Sequence, residues 1–71
     1  MKRAYEFYCD NDDGKPTEEE LIASIKLAND KDCYVKLNYL PSEFTGWRTI
    51  VIRSGMTLNN CKSRIPSTFP I

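Results

Sequence analysis

Three stretches of the chain alternate between apolar and polar residues with a period of two. Residues 3–9 and 33–40 place a large apolar side chain or a cysteine at every second position: Tyr5, Phe7, Cys9 and Cys33, Val35, Leu37, Tyr39. Residues 47–53 contain a β-branched run at 49–52, a composition that favours strands. Because successive side chains in a strand point to opposite faces, these stretches predict three strands.

The segment between the first two predicted strands changes to a helical period. Thr17 and Glu20 have the spacing of a capping box, and the acidic run at 18–20 suits the positive end of a helix dipole. Apolar residues then follow on one stripe at 3.6-residue spacing: Leu21, Ile22, Ile25 and Ala28. The pattern predicts an amphipathic helix that begins at Thr17 and ends near residues 29–31.

A shorter helix and the order of the elements complete the predicted fold. Thr57 can cap a helix that runs through Arg64 and stops before Pro66, and residues 67–71 are predicted to form an extended tail. The order β-α-β-β predicts a small α+β domain over residues 1–71, with a three-stranded sheet packed by the first helix. Because the apolar run of the third strand suits a central position, the predicted strand order is 1-3-2.

Histidine is missing from the whole chain of 71 residues. Since histidine is the commonest general base and metal ligand, its absence excludes Ser–His and Cys–His catalytic pairs and His-ligated metal sites. Cys9, Cys33 and Cys61 have neither metal-like spacing nor an evident activating neighbour. We expect three free thiols in a reducing compartment, with one disulfide and a free thiol as the alternative. We therefore predict no enzyme activity, no metal and no cofactor.

Charge and hydropathy narrow the class of partner and the location. Ten basic and ten acidic residues give a net charge of zero, whereas a dedicated duplex-DNA binder carries a basic excess. Glu6 interrupts the apolar residues near the N-terminus, unlike the core of a signal peptide. No apolar run approaches the roughly 20 residues of a transmembrane helix. The sequence predicts a cytoplasmic protein that does not enter a membrane.

An acidic turn before the first helix resembles part of a calcium-binding loop in its spacing. Asn11, Asp13, Gly14 and Glu20 match positions three, five, six and twelve of that loop. The first position would be Cys9, where an aspartate is required, and a predicted strand replaces the incoming helix. These residues therefore predict a turn followed by a capped helix.

The face of the sheet turned away from the helix carries aromatic and polar side chains. Tyr8, Tyr34, Lys36 and Asn38 would share that face, joined by Trp47 or Arg48 according to the strand register. Aromatic and arginine side chains are enriched at protein hot spots, and the same mixture on a sheet can stack single-stranded bases. The simpler alternative is that the aromatic side chains only pair with one another across strands or are covered by the C-terminal segment.

We expect Tyr34, Lys36, Asn38, Trp47 and Arg48 to form a partner-binding surface on a non-catalytic interaction module. The expected partner is another protein, so the chain would act as an adaptor, inhibitor or regulator, a class that includes small phage- or plasmid-encoded inhibitors. The alternative is a single-stranded nucleic-acid-binding module, which the zero net charge disfavours.

Overall fold

The computed structural model describes residues 3–65. It contains five elements: β1 (Ala4–Cys9), α1 (Glu18–Lys31), β2 (Tyr34–Tyr39), β3 (Arg48–Ile52) and α2 (Leu58–Ser63). Each lies where the sequence pattern predicted it, so the small α+β class is confirmed. The predicted tail at 67–71 lies outside the described residues.

The predicted strand order 1-3-2 is wrong, because the sheet has the order β1-β2-β3. β1 pairs with β2 in parallel, and β2 pairs with β3 antiparallel. A central strand needs apolar side chains on both faces only when both faces are covered. In this sheet the helices cover one face, so the alternating pattern of β2 suits the centre and the β-branched run of β3 lies at an edge.

Helix α1 has the capping box that the sequence predicted. The Thr17 hydroxyl accepts a hydrogen bond from the Glu20 amide, and the Glu20 carboxylate accepts one from the Thr17 amide. The helix ends where Asp32 adopts a left-handed conformation, with φ of 47°. The buried stripe differs from the predicted one: Leu21, Ser24 and Ala28 are buried, whereas the side chain of Ile22 is 50% exposed.

The core lies between the sheet and the two helices. Helix α1 packs on β2, β3 and α2. The buried apolar residues come from every element and from the residue before β2: Cys9, Leu21, Ala28, Cys33, Val35, Leu37, Tyr39, Ile50, Ile52 and Cys61. All three cysteines are free thiols in this core, so the alternative with a disulfide is wrong.

A close backbone contact joins the acidic turn to the β2–β3 loop. Gly14 has φ of 70°, in the left-handed region that favours glycine. A Cβ at this position would lie 2.5 Å from the Leu40 carbonyl oxygen and 2.7 Å from the Pro41 Cα. Glycine is therefore required here both by its backbone conformation and by the lack of space for a Cβ. The acidic turn and the β2–β3 loop thus meet at the end of the sheet where β1 and β2 end.

Candidate interaction face

One face of the sheet is left uncovered by the described elements, and we call it the open face. The strand pairing fixes its members by alternation: Ala4, Glu6 and Tyr8 on β1, Tyr34, Lys36 and Asn38 on β2, and Thr49 and Val51 on β3, with Trp47 just before β3 and Arg53 just after it. The opposite face holds the core residues of the same strands. The sheet thus presents one packed face and one face turned to solvent.

Two aromatic rings on the open face form a pair across the central strand. The rings of Tyr8 and Trp47 have centroids 5.4 Å apart and planes at 88°, an edge-to-face arrangement. Their side chains are 66% and 56% exposed, respectively. Aromatic pairs of this geometry hold each other in place while most of their surface stays available for contact.

Asn38 lies between these strands and is only 6% exposed. Its amide nitrogen donates to the Glu6 carboxylate at 3.1 Å and to the Phe7 carbonyl at 3.3 Å. Its amide oxygen accepts a 2.6 Å hydrogen bond from the Thr49 hydroxyl. Asn38 therefore ties all three strands together beneath the open face and contributes little surface of its own to a partner.

The rest of the open face carries charges of both signs. Lys36 lies directly opposite Glu6 in the β1–β2 register. The Arg53 guanidinium lies over the Tyr34 ring, 5.9 Å from its centroid. Charges of both signs therefore lie next to the exposed aromatic rings on this face.

The register separates Arg48 from the other four predicted site residues. Arg48 pairs with Tyr39, whose side chain belongs to the core, so it alternates to the face opposite Trp47. Burial raises the pKa of Tyr39, and the Arg48 charge opposes this effect. Tyr34, Lys36, Asn38 and Trp47 are brought together on the open face, and Arg48 is not.

Phe44 was not among the residues predicted from the sequence, and it is 98% exposed in the β2–β3 loop. Hydrogen bonds to Ser42 close the loop around it. The Thr45 amide donates to the Ser42 hydroxyl at 3.2 Å, and the Gly46 amide donates to the Ser42 carbonyl at 3.2 Å. An ordered turn thus holds a large apolar ring in solvent. A single phenylalanine within a loop gives no periodic signal that would reveal this in sequence.

The surroundings of Cys9, Asp13 and Glu20 show contacts that stabilise the fold. Burial and the neighbouring Glu20 carboxylate raise the pKa of Cys9 to about 11, which keeps the thiol protonated at neutral pH. Asn11 donates to the Glu20 carboxylate, and Asp13 accepts from the Lys15 amide, so these side chains stabilise the turn and the helix cap. Within residues 3–65, no group of three histidine, cysteine or acidic side chains is placed to hold a metal ion.

The described part of the chain also lacks any helix with the length and apolar character needed to cross a membrane. Comparison with known proteins finds no family model, no curated protein and no solved structure that matches this chain. The class that the fold defines is a small α+β domain with a three-stranded mixed sheet and two helices.

Proposed function

We propose that this protein is a non-catalytic module that binds another protein through the open face. The observation that carries the proposal is the Tyr8–Trp47 pair, two large rings that remain more than half exposed on a sheet face without a covering layer among the described residues. Tyrosine and tryptophan are the residue types most enriched at binding hot spots, and a rigid pair loses little entropy on binding.

The surroundings of the pair support a preorganised surface. The hydrogen bonds of Asn38 fix the relative positions of the strands that carry Tyr8 and Trp47. Lys36 and Glu6 supply charges of opposite sign next to the rings, which suits the polar rim of a protein interface. In this arrangement the aromatic pair is the anchor, and Lys36 and Tyr34 contribute to specificity at its border.

The test compares three baits, the wild type, Trp47→Ala and Ile22→Ala. Each is used in affinity capture from the native host, followed by quantitative mass spectrometry. Trp47→Ala should raise the Kd for the captured protein roughly 30-fold, which corresponds to about 2 kcal/mol for a central anchor. Ile22→Ala is the matched control, because Ile22 is also half exposed but lies on α1. Equal loss with both variants, or no loss with Trp47→Ala, would contradict the proposal.

Salt and nuclease treatment distinguish the nucleic-acid alternative. A protein contact anchored by aromatic rings should survive nuclease and weaken only modestly between low and moderate salt. Binding that disappears with nuclease and falls steeply with salt, and that depends on Lys36 and Arg53, would instead assign the open face to single-stranded nucleic acid.

A further inference from the structure

The outer edge of β1 has backbone groups without a strand partner among residues 3–65. The Tyr34 amide donates to the Arg3 carbonyl at 3.0 Å. This bond shows which residues of β1 turn their backbone groups toward β2 and which turn them to the outside. Odd-numbered residues of β1 therefore direct their backbone groups to β2, and Ala4, Glu6 and Tyr8 direct theirs outward. Such an edge is a template for a further strand.

The helix-side face of β1 is also incompletely covered, because α1 lies over β2 and β3. Phe7 is 45% exposed on this face. It borders a groove of about 290 Å³ whose other apolar walls include Ala23, Leu27 and Leu37. Helix α2 cannot close the groove, because it packs on the opposite side of α1, where Lys62 and Glu18 form a 2.7 Å ion pair.

Charge distinguishes the two edges of the sheet. β1 follows Arg3 and precedes Asp10, so its ends carry opposite charges. β3 begins with Arg48 and precedes Arg53, so both of its ends are positive. In an antiparallel pair of identical strands, the start of each lies beside the end of the other. Self-pairing through β1 would bring opposite charges together, and self-pairing through β3 would bring like charges together.

We propose that β1 pairs antiparallel with β1 of a second copy, across a two-fold axis perpendicular to the sheet. Two three-stranded sheets then form one continuous sheet of six strands. The strand that pairs with this edge is β1 of a second copy, because the antiparallel orientation places the Arg3 end of each β1 beside the Asp10 end of the other. The proposal does not depend on the open face binding a protein, since the edge and the face are different surfaces.

Charge and the position of the groove favour a register centred on Phe7 over one centred on Glu6. With the axis at Phe7, Glu6 of each copy exchanges hydrogen bonds with Tyr8 of the other, and the two Phe7 side chains meet on the helix-side face. With the axis at Glu6, the two Glu6 carboxylates would lie directly opposite each other, which is unfavourable. The Phe7-centred register therefore closes both grooves with aromatic side chains and avoids the like-charge contact.

Sedimentation equilibrium over a concentration series tests the proposal. The monomer mass is 8.2 kDa, and the wild-type protein should approach twice that mass with rising concentration. Glu6→Pro removes an outward backbone donor at the centre of β1 and should keep the monomer mass. Val51→Pro is the matched control on the outer edge of β3 and should dimerise like wild type. A wild-type monomer at millimolar concentration, or a Val51→Pro variant that alone fails to dimerise, would overturn the proposal.

A cross-linking experiment keeps the test valid if Glu6→Pro disturbs the fold. The two Phe7 positions form a non-hydrogen-bonded pair with Cα atoms about 4.5 Å apart, within disulfide range. Phe7→Cys treated with the thiol oxidant diamide should form a covalent dimer, whereas Val51→Cys should not. The native thiols are buried and should not contribute. Equal cross-linking by both variants, or none by Phe7→Cys, would contradict the β1 contact.

Discussion

The two faces of the sheet are built from the same three strands and differ in what surrounds them. Beneath the helices, Val35, Leu37, Ile50 and Ile52 are at most 3% exposed. The neighbouring position along each strand lies on the open face, where most residues are aromatic, charged or hydroxylated and accessible. A single alternation therefore separates residues buried in the core from residues that face solvent. Asn38 is the exception, a polar residue that is buried on the open face.

The sharpest test of this comparison uses two adjacent residues of β3. Ile52 is fully buried on the helix side, and Val51 is half-buried on the open face. Ile52→Ala should lower the free energy of unfolding by about 2–5 kcal/mol, because it leaves a cavity in the core. Val51→Ala should cost below about 1 kcal/mol, because solvent can occupy the space. Urea unfolding of both variants measures the difference, and equal costs would show that the two faces are energetically alike.

Asn38→Ala should break the rule that the open face contributes little to stability. The substitution removes the side-chain bonds to Glu6, to the Phe7 carbonyl and to Thr49, and it leaves the Thr49 hydroxyl without its acceptor. We expect a loss of about 1–3 kcal/mol in urea unfolding. Lys36→Ala on the same strand and face is the control and should have a smaller effect, because Lys36 is exposed. A larger loss for Lys36→Ala would refute the role assigned to Asn38.

The smallest expected effect concerns pH and the cap of α1. Burial tends to raise the pKa of Glu20, but hydrogen bonds from the Thr17 amide and the Asn11 side chain outweigh it and lower the pKa below 4.5. A carboxyl whose pKa is lower in the folded state stabilises the fold above its unfolded pKa. That contribution disappears as the pH falls through the lowered value.

The free energy of unfolding should therefore decline below about pH 4.5. We expect the contribution of Glu20 to this decline to be about 1 kcal/mol or less. Unfolding of Glu20→Gln measured between pH 7 and pH 3 should show a shallower decline than wild type. The control is Glu19→Gln, since Glu19 is exposed in the same helical turn. Parallel pH profiles for wild type and Glu20→Gln would contradict the assignment.

The local elements could be predicted from sequence because their signals are local. The capping box of Thr17 and Glu20, the period of two in β1 and β2, and the β-branched run of β3 each specify an element without reference to the rest of the chain. Strand order depends instead on which faces become covered. The apolar run of β3 suggested a central strand, yet Val51 in that run lies half-buried on the open face at the sheet edge.

The contrast between local signals and strand order also explains which features of the candidate site could be predicted. Alternation alone placed Tyr8, Tyr34 and Lys36 on the face away from α1. The contact between Tyr8 and Trp47 was not predicted, because it reaches across β2 and depends on the registers of both strand pairs, which alternation alone does not fix. The burial of Asn38 was missed for a related reason, since its partners come from strands on both sides.

The three buried thiols give the protein internal reporters of its own motions. Cys9 lies at the end of an edge strand, Cys33 directly precedes the central strand, and Cys61 lies in α2. A thiol reagent can modify each one only when its surroundings open, because all are at most 3% exposed. Variants that retain one cysteine would therefore report opening equilibria for the sheet edge, the sheet centre and the second helix separately. The labelling rates would then rank the cooperative units of the fold.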